Sequence, residues 1–373
     1  MNDIRCLVPD LPKADELLPW LNKIDENRWY SNFGPLVQAF EKGVEELMTG
    51  LSIDRPMHVC TTSSGTTAIE VAILAHELEK GSRILIPGLT FPGTINAIIQ
   101  AECRPIISDV DPKTWCLTPT IAKEVFKYFP FQMVMPVSTY GYPLDIEGWQ
   151  AFHEETGIPV LIDAAGAFGY QQLGDGITVV FSMHATKIFG IGEGGCVVSS
   201  DEGFIQNVRQ MTNFGFAEGQ IRKWGTNAKL SEYHAAVGMV QLERWPAMKA
   251  KRNDIYQRYM SLIEPTLFEW QHFTATKIPS VLMINCKTNG ELVSAEMLAR
   301  GIETRRWYCP PLYRHDAYTQ YKTASAQGYP KLPVIDEISK GLIGLPYHNF
   351  LSIDDVNTVF ETLMDIIDET SSH

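Results

Sequence analysis

The sequence predicts an α/β protein built on a largely parallel sheet, with a smaller C-terminal α/β domain beside it. Short apolar runs recur from about residue 56, at 83–87, 104–109, 132–136, 159–163, 178–183 and 195–199. Helical patterns lie between several of them, as at 67–79 and 93–100. Continuous apolar strands alternating with helices imply a sheet covered on both faces. A length of 373 residues exceeds what one small core accommodates. A long helical pattern over 231–263 bridges to the second domain, which has its own strand-like run at 280–286 and an amphipathic helix at 353–367. The expected division is 1–248 for the large domain, including an N-terminal substrate segment, and 249–373 for the small one.

Composition narrows the function classes. Hydrophobic residues make up 45% and charged residues 20%, the values of an ordinary globular chain. The formal net charge of −13 opposes nucleic acid and anionic membrane surfaces. Seven scattered cysteines, none spaced as C-x-x-C, argue for a reducing compartment and against a disulfide framework or zinc site. No metal site is expected. With no signal-peptide pattern and no membrane-length apolar run, the expected location is the cytoplasm.

Ligands of such sheets gather where strand ends turn into helices, so the chemistry is sought there. Ser63-Ser64-Gly65-Thr66-Thr67 precedes the first strong helix. Small hydroxyl residues around a glycine let backbone approach an anion, and the helix start supplies free N–H groups. Taken alone, the segment reads as an ordinary Ser/Thr cap with a glycine turn, and no Gly-Lys-Ser/Thr follows to make a Walker loop. Asp163 ends an apolar run and is followed by two alanines. It has the chemistry to pair with a cationic ring nitrogen beside room for a flat ligand, although an isolated Asp there also caps helices. Lys187 follows the run at 178–183, where desolvation can make an amine nucleophilic toward an aldehyde. The glycines of 190–195 match G-x-G-x-x-G in letters only. They lead into a strand-like run rather than a helix, which excludes a dinucleotide fingerprint.

In order, these segments resemble the DegT/DnrJ/EryC1/StrS family of pyridoxal-phosphate-dependent (nucleotide-)sugar aminotransferases. The matching stretches are 64–68, 87–91, 163–165, 181–195 and 225–236, and the likeness spans roughly 25–350. The resemblance implies the aspartate-aminotransferase fold (fold type I) and pyridoxal 5'-phosphate as cofactor, cycling through pyridoxamine phosphate. It implies that Lys187 forms the Schiff base and shuttles protons, while Asp163 keeps the pyridine nitrogen protonated. Phe91 stacks on the ring; Gly65, Thr66 and Ser182 meet the phosphate. Asn227 reaches the phosphate of the neighbouring subunit, which implies a homodimer with shared active sites. Related dehydratases carry His at the lysine position, so Lys187 argues for transamination.

Two positions depart from the family pattern. Gly166 stands where Gln or His often follows Asp-Ala-Ala, and Lys229 stands where Arg often follows the Asn by two. A lysine keeps the charge but loses the bidentate fork for a donor carboxylate. The implied reaction moves an amino group from glutamate, leaving 2-oxoglutarate, to a nucleotide-linked 4-keto or 3-keto deoxysugar for surface polysaccharide or a glycosylated metabolite. Candidate substrate contacts are Tyr30, Asn32, Phe33, His184, Lys229, Arg305 and Tyr308, with arginines beside aromatics suited to pyrophosphate and sugar. Trp307 and Tyr308 equally suit packing of the small domain. Alternatives are a free keto-sugar or cyclitol ketone as acceptor, a non-catalytic cofactor- or sugar-binding sensor, and a lyase or desulfurase with Cys309 as nucleophile.

Overall fold

The computed structural model describes residues 3–371 apart from 54, 274–276 and 329, and no side chain beyond 369. The outermost ends of the expected division, 1–2 and 372–373, lie outside the described residues. Helices α1 (Ala14–Asn27) and α2 (Pro35–Thr49) precede the sheet. The sheet strands are β1 (His58–Thr62), β2 (Arg83–Pro87), β3 (Arg104–Ser108), β4 (Met133–Val134), β5 (Leu161–Asp163), β6 (Thr178–Ser182) and β7 (Gly195–Ser199). Between and after them come α3 (Gly65–Ala75), α4 (Pro92–Gln100), α5 (Pro119–Tyr128), α6 (Ile146–Thr156) and α7 (Glu202–Thr212). One half of the sheet is ordered β1-β7-β6-β5 and the other contains β3-β2-β4. Parallel bridges Val134–Val160 and Val137–Asp163 join the halves through β4 and β5.

Alternation along the strands divides the core. Leu85, Ile106, Ile162 and Val179 enter one buried cluster, while Ile84, Ile86, Ile107 and Val180 enter the other. This is the two-faced burial that the apolar runs predict. The exception to parallel order is β7, antiparallel to both β1 and β6. The link from β6 to β7 contains no crossover helix and returns antiparallel. It closes as a loop through Met183 N–H to Gly194 O (2.8 Å) and Ala185 N–H to Gly192 O (2.7 Å). Lys187 lies in that loop.

A small hairpin, β8 (Phe216–Ala217) and β9 (Gln220–Ile221), leads to the long helix α8 (Glu232–Met260). Beyond it lie β10 (Glu269–Trp270), β11 (Leu282–Asn285), α9 (Gly290–Ala299), β12 (Lys322–Ala324), α10 (Pro333–Gly341), β13 (Leu342–Leu345) and α11 (Ile353–Ser371). β10, β11 and β13 form an antiparallel sheet. The sequence bears no sign of two crossings between the halves. β12 adds a parallel edge strand to β3, and Ile4 bridges Ile302. α8 runs unbroken through 248–249. Among the described residues no helix is long and apolar enough to cross a membrane, and no His/Cys/Asp/Glu group is arranged to hold a metal ion.

Candidate active site

The C-terminal ends of β1, β2, β5 and β6 open on one edge of the sheet, and the N-terminal end of β7 joins them. α3 starts directly after β1 with a reciprocal cap: Thr67 N–H donates to Ser64 Oγ (3.1 Å), and Ser64 N–H donates to Thr67 Oγ1 (3.0 Å). The cap leaves the N–H groups of Gly65 and Thr66, at the positive end of the helix dipole, without a backbone acceptor among the described residues. Glycines bring this helix start close to the strands. A Cβ on Gly65 would lie 2.7 Å from Ser182 Cβ, and one on Gly195 would lie 2.7 Å from Gly65 N and Ser64 O. Gly65 and Ser182 therefore meet at one corner, with Thr66 next along the helix start.

Asp163 closes β5 and is 3% exposed. Its Oδ2 accepts from Thr94 Oγ1 (2.7 Å) and its Oδ1 from Ala165 N–H (3.1 Å). Burial pushes its carboxyl above the usual range, against those two hydrogen bonds and the charge of Lys187. A buried carboxylate of this kind calls for a nearby cation. Lys187, half-buried in its loop, has its pKa lowered by desolvation, against the attraction of Asp163. The two groups thus sense each other across the site. Phe91, the N-cap of α4, is 62% exposed, an unusual state for a large apolar ring at the rim of a buried carboxylate. An anion corner, a buried acid, an uncovered aromatic face and a desolvated amine fit the phosphate, ring nitrogen, ring and aldehyde of pyridoxal phosphate.

The remaining candidates divide. Tyr308 adopts a left-handed backbone (φ 64°) and stacks on Tyr140 at 4.9 Å. Burial raises its hydroxyl pKa, and the charge of Asp163 adds to the rise, which places it by the site. His184 Nδ1 hydrogen-bonds Thr186 Oγ1 (2.8 Å), and its Nε2 stands 3.6 Å from Glu193. Tyr30 stacks on Tyr233 at the N-terminus of α8. Asn32 and Phe33 are both left-handed (φ 58° and 57°), and Phe33 lies under Arg209. That tract is tied down by Glu232, which accepts from Leu36 N–H (2.9 Å) and Val37 N–H (2.8 Å). Asn227 is exposed, and its neighbour Ala228 accepts from Ser63 N–H at 2.7 Å. Lys229 donates to Asn213 Oδ1 (3.0 Å) over the Phe214 ring.

Arg305 is not brought to this cleft by any contact: its guanidinium pairs with Glu303 at 2.5 Å, beside Cys6. Arg306 is spent on the Ser339 carbonyl (2.7 Å) at the end of α10. Cys309 donates to that carbonyl (3.5 Å), and burial raises its pKa, the opposite of an activated nucleophile. At Gly166 a side chain would press on Gly141 N and Ser280 Cβ at 3.2 Å, so a neighbouring loop fills the space that Gln or His takes in the family pattern. Sequence reasoning missed Thr90, Thr94 and Tyr140. Two threonines four apart across a helix N-cap carry no signal until the fold sets Thr94 against Asp163.

The chain matches the DegT/DnrJ/EryC1/StrS aminotransferase family over residues 13–364. The dTDP-4-amino-4,6-dideoxy-D-glucose transaminase of Shigella dysenteriae is 27% identical over 373 residues, 96% of this chain and 97% of that protein. A crystal structure from Bacillus cereus, assigned to the PLP-dependent aminotransferases, superposes with a TM-score of 0.89 at 28% identity, covering 97% of this chain and 100% of that one. DesI, crystallised in the presence of its TDP-sugar product, gives 0.86 at 25% identity, covering 98% and 95%. The architecture is that of fold type I, and the cofactor is pyridoxal phosphate. This chain belongs to the DegT/DnrJ/EryC1/StrS aminotransferase family and is a pyridoxal-phosphate-dependent sugar aminotransferase.

Proposed function

We propose that the protein transfers the amino group of glutamate to a nucleotide-linked 4-keto or 3-keto deoxysugar, for a surface polysaccharide or a glycosylated metabolite. The observation that carries the transamination is the buried Asp163 carboxylate, held by Thr94 and Ala165, on the same sheet edge as the desolvated Lys187 and the α3 N-terminus. The Shigella transaminase, and the TDP-sugar product in whose presence DesI was crystallised, support the acceptor class.

When bound, the cofactor supplies an electron sink for the bond breaking at the donor's α-carbon. Asp163 holds the ring-nitrogen proton through which that sink works. Lys187 Nζ, whose pKa desolvation lowers, takes the α-proton of the donor and returns a proton in the amination half. The N–H groups of Gly65 and Thr66, with Ser182 Oγ, hold the phosphate, and Phe91 covers one ring face. Lys229, which has no acidic partner among the described ion pairs, offers its charge to a carboxylate. Tyr30, Asn32, Phe33, His184 and Tyr308 line the acceptor side.

The working unit is a homodimer in which Asn227 completes the partner's phosphate site. Support comes from the apolar surface around the β8–β9 hairpin, where Phe214, Phe216, Ile221 and Trp224 are 45%, 43%, 66% and 81% exposed. Contiguous exposed apolar surface of this kind marks an interaction face. The decisive test is spectroscopic. Glutamate should bleach the visible band of the loaded protein with release of 2-oxoglutarate, and a dTDP-linked keto-sugar should restore it. Colour that ignores glutamate points to a sensor or another pyridoxal-phosphate reaction. Restoration by free keto-sugars alone removes the nucleotide from the proposal.

A further inference from the structure

We infer that Thr94 is a positioning residue whose hydroxyl, oriented by Thr90, fixes the Asp163 carboxylate as the ionised partner of the cofactor's ring nitrogen. The inference rests on the reading of Asp163 given above. Thr94 and Thr90 are each 2% exposed, so water does not compete for their hydroxyls. Thr94 Oγ1 is 2.7 Å from Asp163 Oδ2 and 2.8 Å from Thr90 Oγ1. An ionised carboxylate only accepts, so the Thr94 proton must point to Asp163. The only proton left for the second contact belongs to Thr90, and the chain runs Thr90 to Thr94 to Asp163.

Ala165 N–H holds the other oxygen at 3.1 Å. Each carboxylate oxygen then has one donor from the protein and keeps a second lone pair for the ligand. The charged or titratable groups acting on Asp163 are Lys187, from the β6–β7 loop, and Tyr308, from the segment before β12. Neither is on α4, which contributes the neutral Thr94 hydroxyl, or on the turn before it, which contributes that of Thr90. Burial opposes ionisation of Asp163, and Thr94 is the foremost counterweight. Without it the carboxyl rises further, and a neutral acid cannot hold a ring-nitrogen proton by charge.

The test uses Thr94→Val, Thr94→Ser, Thr90→Val and Asp163→Asn, each titrated with pyridoxal phosphate and melted as apo-protein across pH. Thr94→Val should weaken cofactor binding about ten- to hundredfold, as loss of a hydrogen bond to a charged group does. Thr94→Ser should restore most of it, and Thr90→Val should show a smaller loss. With Asp163 raised further in Thr94→Val, the folded chain binds its proton to higher pH than the unfolded chain. Stability is then lost as pH rises through that range, and the Tm gap to wild type widens with pH. A purely packing role gives a gap independent of pH. Unchanged cofactor affinity or a flat gap in Thr94→Val overturns the inference; should that variant not fold, a flat gap in Thr90→Val does so. Asp163→Asn separates the two ideas. If it binds cofactor like wild type, the reading of Asp163 fails, whereas its loss alongside an unaffected Thr94→Val sinks the role of Thr94 alone.

Discussion

Gly65→Ala tests whether the start of α3 is a phosphate cradle or only a capped helix. At a helical position alanine is favoured over glycine by up to about 1 kcal/mol, so a structural role alone predicts a neutral or mildly stabilising change. The tertiary contact opposes this. The added Cβ would sit 2.7 Å from Ser182 Cβ and 3.1 Å from its Cα and Oγ. Carbon atoms settle near 3.5–4.0 Å, so the helix start and β6 must part by about 1 Å. Neither can rotate away, because the clash involves Cα and Cβ rather than the end of a flexible chain. Overpacking of this kind costs about 1–3 kcal/mol, and net stability should fall by about 0–2 kcal/mol once helix propensity is subtracted. Cofactor binding should fall more. A shift of about 1 Å moves the N–H groups of Gly65 and Thr66 from ordinary hydrogen-bond distance to beyond it. Losing one charge-assisted hydrogen bond, about 1.5–3 kcal/mol, weakens affinity about ten- to hundredfold. Absorbance titration of the apo-protein with pyridoxal phosphate measures this directly, with thermal melting alongside. Wild-type affinity in a folded Gly65→Ala protein would refute the cradle.

Three further outcomes are expected. The rate at which apo-protein captures pyridoxal phosphate should rise with pH as Lys187 loses its proton. Desolvation lowers this lysine from its usual 10.5, so the midpoint should fall below that value; a stopped-flow midpoint at or above it contradicts the assignment. Glu232→Gln removes the charge that holds the first N–H groups of α2, and should cost about 1.5–3 kcal/mol of stability by denaturant titration. It should also raise KM for the sugar acceptor while the glutamate half-reaction keeps its rate; the reverse split would detach residues 30–33 from the acceptor. In mixed dimers pairing Asn227→Ala with Lys187→Ala, complementation fixes the sharing. The intact Lys187 resides in the subunit whose partner still supplies Asn227, so one full site should survive with wild-type cofactor retention. Its absence, or full activity of monomers, contradicts shared sites.

Much of the catalytic side was legible because local patterns and order in the chain suffice for it. Apolar runs ending in Ser64-Gly65-Thr66, Asp163 and Ser182 to Lys187 mark strand ends, and strand ends in an α/β sheet share one edge. The reversal of β7 was hidden, since orientation depends on connection geometry rather than on the strand's own apolar pattern. The surroundings of Arg305 and its neighbour Arg306 were hidden for a related reason. Sequence displays a cation, but only packing showed that Glu303 and the Ser339 carbonyl already engage them.

The sequence by itself determined the fold class, the cofactor chemistry and the family resemblance, because those rest on residue types in a fixed order. The tertiary structure alone decided what surrounds them. It set Thr94 behind Asp163 across 69 positions of chain, stacked Tyr308 from the C-terminal part on Tyr140, and filled the space at Gly166 with the Gly141–Ser280 contact. Contacts between segments far apart in sequence depend on how the sheet closes, and no local pattern encodes that.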